Sequence, residues 1–410
     1  MSRSNKVKRY KKIYNDPHKK RKRIIKTLVA IAAGGLLVFI GYSAYSPLMA
    51  FLNGDMTYDT SKDYPSLAAV SSRPAALDSE ETSALTTSSN SVATSVQGVF
   101  APTATVKDPA AFEGFLADAK TKGYNAVILE AKDNTGMVQY QSAVPQVAEA
   151  SAQAPDAYPL AERITSIKAA GLKPVVRVVA FEDNVASRIL ENSFVMYRGS
   201  NDFRWLDNSP EAGGRGWLSP ESVVAQSYIT AISEEIVTMG CETIIYGSFQ
   251  FPTGLGTNLA YSGPQSDANK MSVLQAYAAT LTQSLAAKKA TAYMETPAAS
   301  ILTGDDVRYG GNPLDIGFKK LAPEIYPSSL PAPLVIGTET IPVPKDAPYA
   351  ATKLVIAQIQ TLSAGKVDEL LPFLQSYDGY ETAGVKEQEK ALTEVGIKEY
   401  VLYNPTGVYP

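Results

Sequence analysis

From residue 98 to the end of the chain, two hydrophobic patterns alternate. Short continuous apolar runs are typical of buried β-strands, and stretches with an apolar residue every three to four positions are typical of amphipathic helices. The predicted strands are 98–102, 125–132, 173–181, 242–249, 290–295, 323–327, 369–375 and 399–404. The predicted helices are 109–122, 158–170, 221–239, 267–288, 315–321, 348–363 and 384–395. Eight strands with seven helices between them predict a (β/α)8 TIM barrel of the α/β class, whose eighth helix is missing or short.

The connections between these elements differ in length according to their direction. Links from helix to strand are brief and often contain glycine, as at Gly123-Tyr124 and Gly240-Cys241. Links from strand to helix are long, and they are 133–157, 182–220, 250–266, 296–314 and 328–347. The extra sequence therefore lies at the C-terminal ends of the strands, where barrel enzymes place their active sites. An open doubly wound sheet is the alternative fold, but it needs a Gly-rich phosphate-binding turn after its first strand, and APTATVKDP contains no glycine.

The residues before the barrel form three segments of different composition. Residues 1–26 contain twelve Lys or Arg and one acid, so they carry +11; because the whole chain carries −3, the rest carries −14. Residues 27–46 are apolar and belong to a run without charge from 27 to 54, long enough for the roughly 20 residues of a transmembrane helix. Residues 47–97 follow, and from about residue 55 onward they are rich in small polar side chains. These patterns predict a basic tail, a membrane span and a flexible Ser/Thr-rich linker.

The charge ahead of the apolar run also predicts an orientation. By the positive-inside rule, the basic tail is cytoplasmic and the barrel, 98–410, lies outside a cell membrane that the chain crosses once. A cleaved signal peptide is the alternative, but the basic region is long and no clear small-x-small cleavage site follows it. Lys and Arg beside a span act as an orientation signal that contacts anionic lipid, so a nucleic-acid partner is not predicted.

The single histidine and the single cysteine exclude several kinds of chemistry. His18 lies in the basic tail, so the barrel has no histidine for a Ser-His-Asp or Cys-His mechanism or for a zinc site. Cys241 has no second cysteine with which to form an intrachain disulfide. The stretch TGLGTN, at 253–258, is a weak match to a phosphate-binding turn and does not follow a first strand, so we interpret it as a loop. The sequence predicts no cofactor and no metal site.

Seven motifs, which follow one another in the order of the predicted strands, carry a resemblance to a known family. They are NAVILEAKDNTGMVQY, GLKPVVRVVAFED, WLDN with GWLSP, IIYGSFQFP, LAPEIYPSS, LLPFLQSY and EYVLYNPTGVY. Over 98–410 the chain resembles the glycoside-hydrolase-like domains of bacterial envelope proteins, which are TIM barrels distantly related to alpha-amylase-like enzymes. The resemblance implies that the ligand is a polysaccharide or cell-envelope glycan and that the domain is tethered by an N-terminal span.

Five positions depart from the pattern that the resemblance implies. On strand four the family has an Asp and, three residues later, an Arg, where this chain has Gly247 and Gln250. Tyr293 stands in place of another Asp, Leu371 in place of an Arg and Ser329 in place of a His. Losing the Asp and the Arg of strand four together leaves no unpaired buried charge. The resemblance therefore implies a pseudoenzyme, unless other acids have taken over the chemistry.

Glycoside hydrolysis requires two carboxyl groups, one on each side of the scissile bond. Glu295 is the first candidate for a catalytic acid, and Asp133 or Asp183 is the second. An ion pair with Arg177 or Lys132 is an alternative role for Glu295, and a turn is an alternative role for Asp133. Further acids near strand ends are Glu130, Glu182, Glu324 and Asp378.

Aromatic and hydrogen-bonding side chains near strand ends are the predicted glycan contacts, because a flat ring offers its apolar face to a sugar. The predicted substrate-binding residues are Lys132, Arg177, Trp205, Asp207, Trp217, Tyr246, Gln250, Tyr293, Tyr326, Gln375, Tyr403 and Asn404. Two functions remain open. One is an active hydrolase that uses Glu295 with another acid, and the other is a barrel without catalysis that binds carbohydrate or serves as a surface scaffold.

Overall fold

The computed structural model describes residues 95–197, 203–254 and 270–410. The predicted basic tail, membrane span and nearly all of the predicted linker, 1–94, lie outside these residues. Within the described ranges, no helix is both long enough and apolar enough to cross a membrane.

Eight parallel strands form a closed barrel. They are β1 Gln97–Phe100, β2 Ala126–Lys132, β3 Lys173–Val179, β4 Thr243–Gly247, β5 Thr291–Pro297, β6 Lys320–Ile325, β7 Glu369–Leu370 with Phe373–Gln375, and β8 Tyr400–Tyr403. Each strand pairs in parallel with the next one along the chain, and β8 pairs in parallel with β1. The predicted TIM barrel is confirmed.

Seven helices connect the strands in the described part of the chain. They are α1 Pro109–Thr121, α2 Leu160–Ala169, α3 Val223–Thr238, α4 Lys270–Ala287, α5 Ala298–Thr303, α6 Pro348–Ser363 and α7 Ala383–Glu394. Shorter helices, Thr103–Lys107, Pro145–Glu149 and Ala186–Ile189, lie in the loops. No helix follows β8 before the last described residue, as the sequence predicted.

The predicted helix at 315–321 is wrong. The helix between β5 and β6 is α5, which begins directly after β5, and β6 already starts at Lys320. Phe318, Leu321 and Ile325 recur at a spacing that fits a helix. In the barrel, however, Leu321 pairs with Met294 of β5, and this long-range pairing makes the segment a strand.

The barrel has two hydrophobic cores, because successive side chains of a strand point to opposite faces of the sheet. The larger core lies between the strands and the surrounding helices. The smaller one fills the inside of the barrel, and it consists of Val96, Phe100, Ala126, Ile128, Val175, Ile245, Tyr293, Ala322, Leu371, Phe373 and Val401.

The inward-facing side chains change from apolar to largely charged toward the C-terminal ends of the strands. Two residues beyond an apolar inward side chain, five strands carry Glu130, Arg177, Gly247, Glu295 and Glu324. A largely charged layer therefore lies on top of the apolar one. The long loops predicted at this end are also present: the β2 loop contains the short strands Val138–Tyr140 and Gln153–Tyr158, and the β6 loop contains the hairpin Leu334–Ile336 with Glu339–Ile341.

Candidate active site at the barrel mouth

A polar cavity of about 300 Å³ opens at the C-terminal end of the barrel. Its charged lining residues are Arg177, Glu182, Asp207, Arg215, Glu295, Arg308 and Glu324. They come from β3, β5 and β6, from the loop after β3 and from the segment between α5 and β6. The cavity lies where the sequence predicted the site.

Arg177 is at the centre of the charged layer. Its Nε and Nη2 atoms donate to the two carboxylate oxygens of Glu295, both at 2.6 Å, and its Nη1 atom donates to Oε1 of Glu130 at 2.7 Å. Such two-pronged arginine–carboxylate contacts are among the strong hydrogen bonds in proteins. Glu295 therefore makes the ion pair with Arg177 that was one of its two predicted roles, and it still lines the cavity.

Glu324 forms a hydrogen-bonded carboxyl pair with Glu295. Burial raises the pKa of Glu324 well above its ordinary value, and the adjacent Glu295 carboxylate raises it further, against the lowering effect of Arg177 and Arg308. Burial alone would also raise the pKa of Glu295, but the charge and hydrogen bonds of Arg177 and the hydrogen bond from Glu324 bring it below its ordinary value. Both shifts favour a pair in which the proton is on Glu324 and the charge is on Glu295.

Gly247 lies against the guanidinium group of Arg177. A Cβ atom built on Gly247 would lie 2.6 Å from Nη2 and 3.1 Å from Cζ of Arg177, closer than real Cβ contacts. Any side chain at this position would displace the guanidinium group. The missing acid of strand four therefore has a steric reason, and it does not by itself indicate an inactive barrel.

Gln250 also lines the cavity. Its Oε1 atom accepts a hydrogen bond of 3.2 Å from the Tyr309 hydroxyl, which is 2.8 Å from Oγ1 of Thr296. These contacts hold the Gln250 amide in one orientation. Its position therefore depends on Thr296 of β5 and on Tyr309, which follows α5.

The loop after β3 supplies the other wall of the cavity. Nη2 of Arg215 lies 2.9 Å from Glu182 and 3.1 Å from Asp207, and the Ser248 hydroxyl donates to Glu182 at 3.0 Å. Trp217 lines the same wall, and its buried indole N–H has no hydrogen-bond partner among the described residues. Asp207 and Trp217 thus lie at the cavity, where glycan contacts were predicted.

The other two predicted acids do not line the cavity. Asp133 accepts hydrogen bonds from the backbone N–H groups of Thr135 and Met137, so it shapes the turn after β2. Asp183 is fully buried, lies 2.9 Å from Nζ of Lys132, and accepts the backbone N–H groups at the start of the helix Ala186–Ile189. Lys132 is equally buried.

Most of the predicted aromatic contacts lie elsewhere. Tyr246 points to the helices and donates to Ser233 of α3 at 2.8 Å, and Trp205 is buried within the β3 loop. Tyr293 faces the opposite end of the barrel and donates to Glu369.

The remaining predicted contacts support the strand ends around β6, β7 and β8. Tyr326 and Tyr403 pack with Tyr377, with ring centroids 5.9 to 6.1 Å apart. Gln375 accepts the Ser328 backbone N–H at 3.1 Å, and Asn404 donates to the Val408 carbonyl at 2.9 Å. Of the twelve predicted binding residues, Arg177, Asp207, Trp217 and Gln250 line the cavity.

Sequence reasoning did not select Glu324, Glu182, Arg215 or Arg308. The two glutamates were recognisable as strand-end acids, and Glu324 lies two residues beyond the inward-facing Ala322, which was the available signal. The two arginines lie in long loops, where spacing predicts no direction for a side chain. No group of three or more His, Cys, Asp or Glu in the described ranges is arranged to hold a metal ion.

Solved structures with a similar fold include proteins that act on carbohydrates. The glycoside hydrolase domain of PgaB (BpsB) from Bordetella bronchiseptica has a TM-score of 0.55 and 13% identity, and the match covers 77% of this chain and 94% of that chain. The catalytic domain of beta-amylase from Paenibacillus polymyxa has a TM-score of 0.44 and 9% identity, covering 77% and 94%. A hypothetical protein from Ruminiclostridium thermocellum has a TM-score of 0.41 and 22% identity, covering 47% and 96%. At these identities, the likeness to PgaB supports the fold alone.

No curated protein sequence matches the chain. A family model does match it, and the match spans almost the whole barrel, from residue 98 to residue 409. The chain belongs to the family described as "Putative glycosyl hydrolase domain".

Proposed function

We propose that the barrel is a glycoside hydrolase that binds a glycan at its mouth and uses Glu324 as the general acid. The observation that carries this proposal is the carboxyl pair at the cavity: Arg177 contacts both oxygens of Glu295 and lowers its pKa, whereas burial and the adjacent Glu295 raise the pKa of Glu324. Two carboxyl groups whose surroundings push their pKa values apart are the usual sign of an acid and its partner. The family of the chain supports the same reaction class.

The second carboxylate of the reaction is Glu182 in this proposal. Glu295 and Glu324 are hydrogen-bonded to each other, so they are closer than the about 5–5.5 Å of retaining or 6.5–9.5 Å of inverting glycosidases. Glu182 stands at the end of β3, three strands away from β6, and is held by Arg215 and Ser248. A glycosidic bond bound between the two walls would have Glu324 on one side and Glu182, with a water molecule, on the other.

The charges at the mouth favour a neutral or amino sugar over an acidic one. Each arginine that lines the cavity is paired with a carboxylate: Arg177 with Glu295, Arg215 with Glu182 and Asp207, and Arg308 with Asp305 at 2.6 Å. A uronate or phosphate group on the glycan would compete with these carboxylates. Like charges brought together in a partly desolvated site repel strongly.

A second function is favoured by the contacts of the two carboxylates. Both oxygens of Glu295 are engaged by Arg177, and those of Glu182 are engaged by Arg215 and Ser248, so neither carboxylate is free to act as a nucleophile or base without losing a contact. A barrel that binds a glycan at its mouth without cleaving it is therefore the competing proposal. A scaffold without glycan binding has no observation of its own to favour it.

The test is a glycan panel assayed with the full-length protein and two matched variants. Neutral, amino and acidic polysaccharides are scored for binding and for release of reducing ends. Glu324→Gln should abolish cleavage and retain binding, because it removes the proton but keeps the shape. Glu399→Gln is the control, since Glu399 also has a raised pKa, caused by burial and by its partner Glu369, but lies at the opposite end of the barrel.

Three outcomes separate the proposals. Cleavage that Glu324→Gln abolishes and Glu399→Gln preserves supports the hydrolase. Binding without cleavage by the unmodified protein supports the binding barrel. A protein that neither binds nor cleaves any glycan of the panel contradicts both.

We also propose that the barrel is tethered to the outside of a cell membrane by the N-terminal segment. The support is in the sequence: twelve Lys or Arg in residues 1–26 precede an uncharged run from 27 to 54. Protease added to intact cells should then release the barrel by cutting the linker at 47–97. If the barrel is cut only after lysis, the proposed orientation is wrong.

A further inference from the structure

Two features of the fold determine where the Arg177 guanidinium lies. Gly247 leaves the space next to the guanidinium open, since a Cβ atom there would lie 2.6 Å from Nη2. Glu295 and Glu130, from β5 and β2, receive its hydrogen bonds at 2.6 to 2.7 Å. The position of the guanidinium is therefore set by three strands other than its own.

The two members of the carboxyl pair have unequal contacts with this guanidinium. Glu295 receives two charge-assisted hydrogen bonds from Arg177, one on each oxygen, and charge-assisted bonds of this kind favour the ionised form. Glu324 makes its hydrogen bond to Glu295. Two adjacent carboxyl groups share one proton because both cannot be ionised side by side.

We propose that Arg177, seated against Gly247, is a positioning residue that holds the negative charge on Glu295 and so leaves the shared proton on Glu324. The proposal rests on the proposed function only for its catalytic consequence, which is that Glu324 is ready to protonate a leaving group. The assignment of the proton itself depends on the contacts around Arg177 and holds for a binding barrel as well.

Other groups that face the pair do not replace Arg177 in this role. They are Glu130, Arg308, Tyr309, Tyr326, Tyr377 and Tyr403. Burial raises the pKa of each of these tyrosines, so they remain neutral. Arg308 acts on Glu324 and forms its own ion pair with Asp305. Burial raises the pKa of Glu130 and Arg177 lowers it, so removing Arg177 would favour protonation of Glu130 as well as of Glu295.

The experiment follows protonated carboxyl groups by infrared difference spectroscopy on the full-length protein as the pH is varied. In the parent, Glu324→Gln should remove one protonated carboxyl signal at neutral pH. In Arg177→Met with Glu324→Gln, the protonated carboxyl signal should include Glu295 together with Glu130, which also loses Arg177, and adding Glu295→Gln should remove the Glu295 part. The titration midpoint of Glu295, measured in the Glu324→Gln background, should rise by about 1–3 pH units when Arg177 is replaced.

Two milder variants keep the test decisive if Arg177→Met does not fold. Arg177→Lys retains a positive charge but cannot contact both oxygens of Glu295 in the same plane. Gly247→Ala pushes the guanidinium away without changing any charge. Each should raise the Glu295 midpoint by less than Arg177→Met. A Glu295 midpoint that Arg177→Lys and Gly247→Ala both leave unchanged overturns the proposal, as does a parent signal that survives Glu324→Gln.

The other end of the barrel supplies an internal control. Glu399 shares a hydrogen bond with Glu369, and Glu369 is held by Lys320 at 2.5 Å, far from Arg177. The signal that Glu399→Gln removes should titrate identically with and without Arg177. The glycan assay is separate: if the parent cleaves nothing, the proposed hydrolase fails, while the infrared result still decides where the proton lies.

Discussion

Replacing Asp183 with Asn removes one charge from a buried ion pair while keeping the shape of the side chain. The Asp183 Oδ2 atom lies 2.9 Å from Nζ of Lys132, and both side chains have 0% of their surface exposed. Oδ1 accepts the backbone N–H groups of Val185 and Ala186 at 2.9 and 2.7 Å, contacts that an amide oxygen can also make. The change therefore isolates the loss of charge opposite Lys132.

The expected cost is large for a single substitution. Breaking a buried pair by removing one partner costs about 3–5 kcal/mol, because the other charge is left without compensation. The Lys132 ammonium would retain the carbonyl of Val179, at 2.8 Å, but no opposite charge. For a domain of this size, about 2 °C per kcal/mol gives a fall of about 6–10 °C in the thermal midpoint. Equilibrium unfolding in urea, followed by circular dichroism, measures the same loss directly.

An exposed pair provides the matched control. Asp156 lies 2.7 Å from Lys107, and its side chain is 69% exposed, so Asp156→Asn should have little effect on stability. The double variant Lys132→Met with Asp183→Asn should be more stable than Asp183→Asn alone, because it leaves no unpaired buried charge and keeps the contacts with Val185 and Ala186. If Asp183→Asn costs no more stability than Asp156→Asn, the buried pair does not stabilise the fold. If it abolishes glycan cleavage at unchanged stability, Asp183 has the catalytic role that the sequence predicted.

The remaining predictions concern the carboxyl pair and the aromatic residues. Glycan turnover should fall as the pH rises through the raised pKa of Glu324, because the general acid then loses its proton; the pH dependence of kcat measures this limb. Tyr246→Phe should cost about 1 kcal/mol of unfolding free energy and leave glycan affinity unchanged, because the lost hydrogen bond joins β4 to α3. Both tryptophans are buried, so Trp217→Ala and Trp205→Ala should each lower stability by about 3–5 kcal/mol. Only Trp217→Ala should also weaken glycan binding, because Trp217 lines the cavity; equal effects of the two on binding would contradict their different positions.

Hydrophobic pattern and loop length alone determined the architecture of this protein. Strand and helix periodicities are local properties of the chain, so eight strands and six of the seven helices could be recognised, with boundaries close to those in the structure. The excess length of the strand-to-helix links identified the end of the barrel that contains the polar cavity. The same local information failed at 315–321, where a helix-like spacing belongs to the start of β6.

The candidate site could be predicted only in part. Glu295, Arg177, Asp207, Trp217 and Gln250 were selected from the sequence and line the cavity. The sequence did not show which of the acids line the cavity, because an acid at a strand end can point into the barrel mouth, into a turn or into the core.

Tertiary structure decided the role of each charged residue. Gly247, which looks like a lost acid in the sequence, leaves the space that Arg177 fills, and the pKa of Glu324 is raised because the fold buries it and because β5 and β6 place it against Glu295. Asp183 is buried beside Lys132, which reaches it from the neighbouring strand β2. Each of these contacts joins residues that are far apart along the chain. Their distances depend on the register and stagger of neighbouring strands around the closed barrel, which the spacing of residues within one strand does not encode.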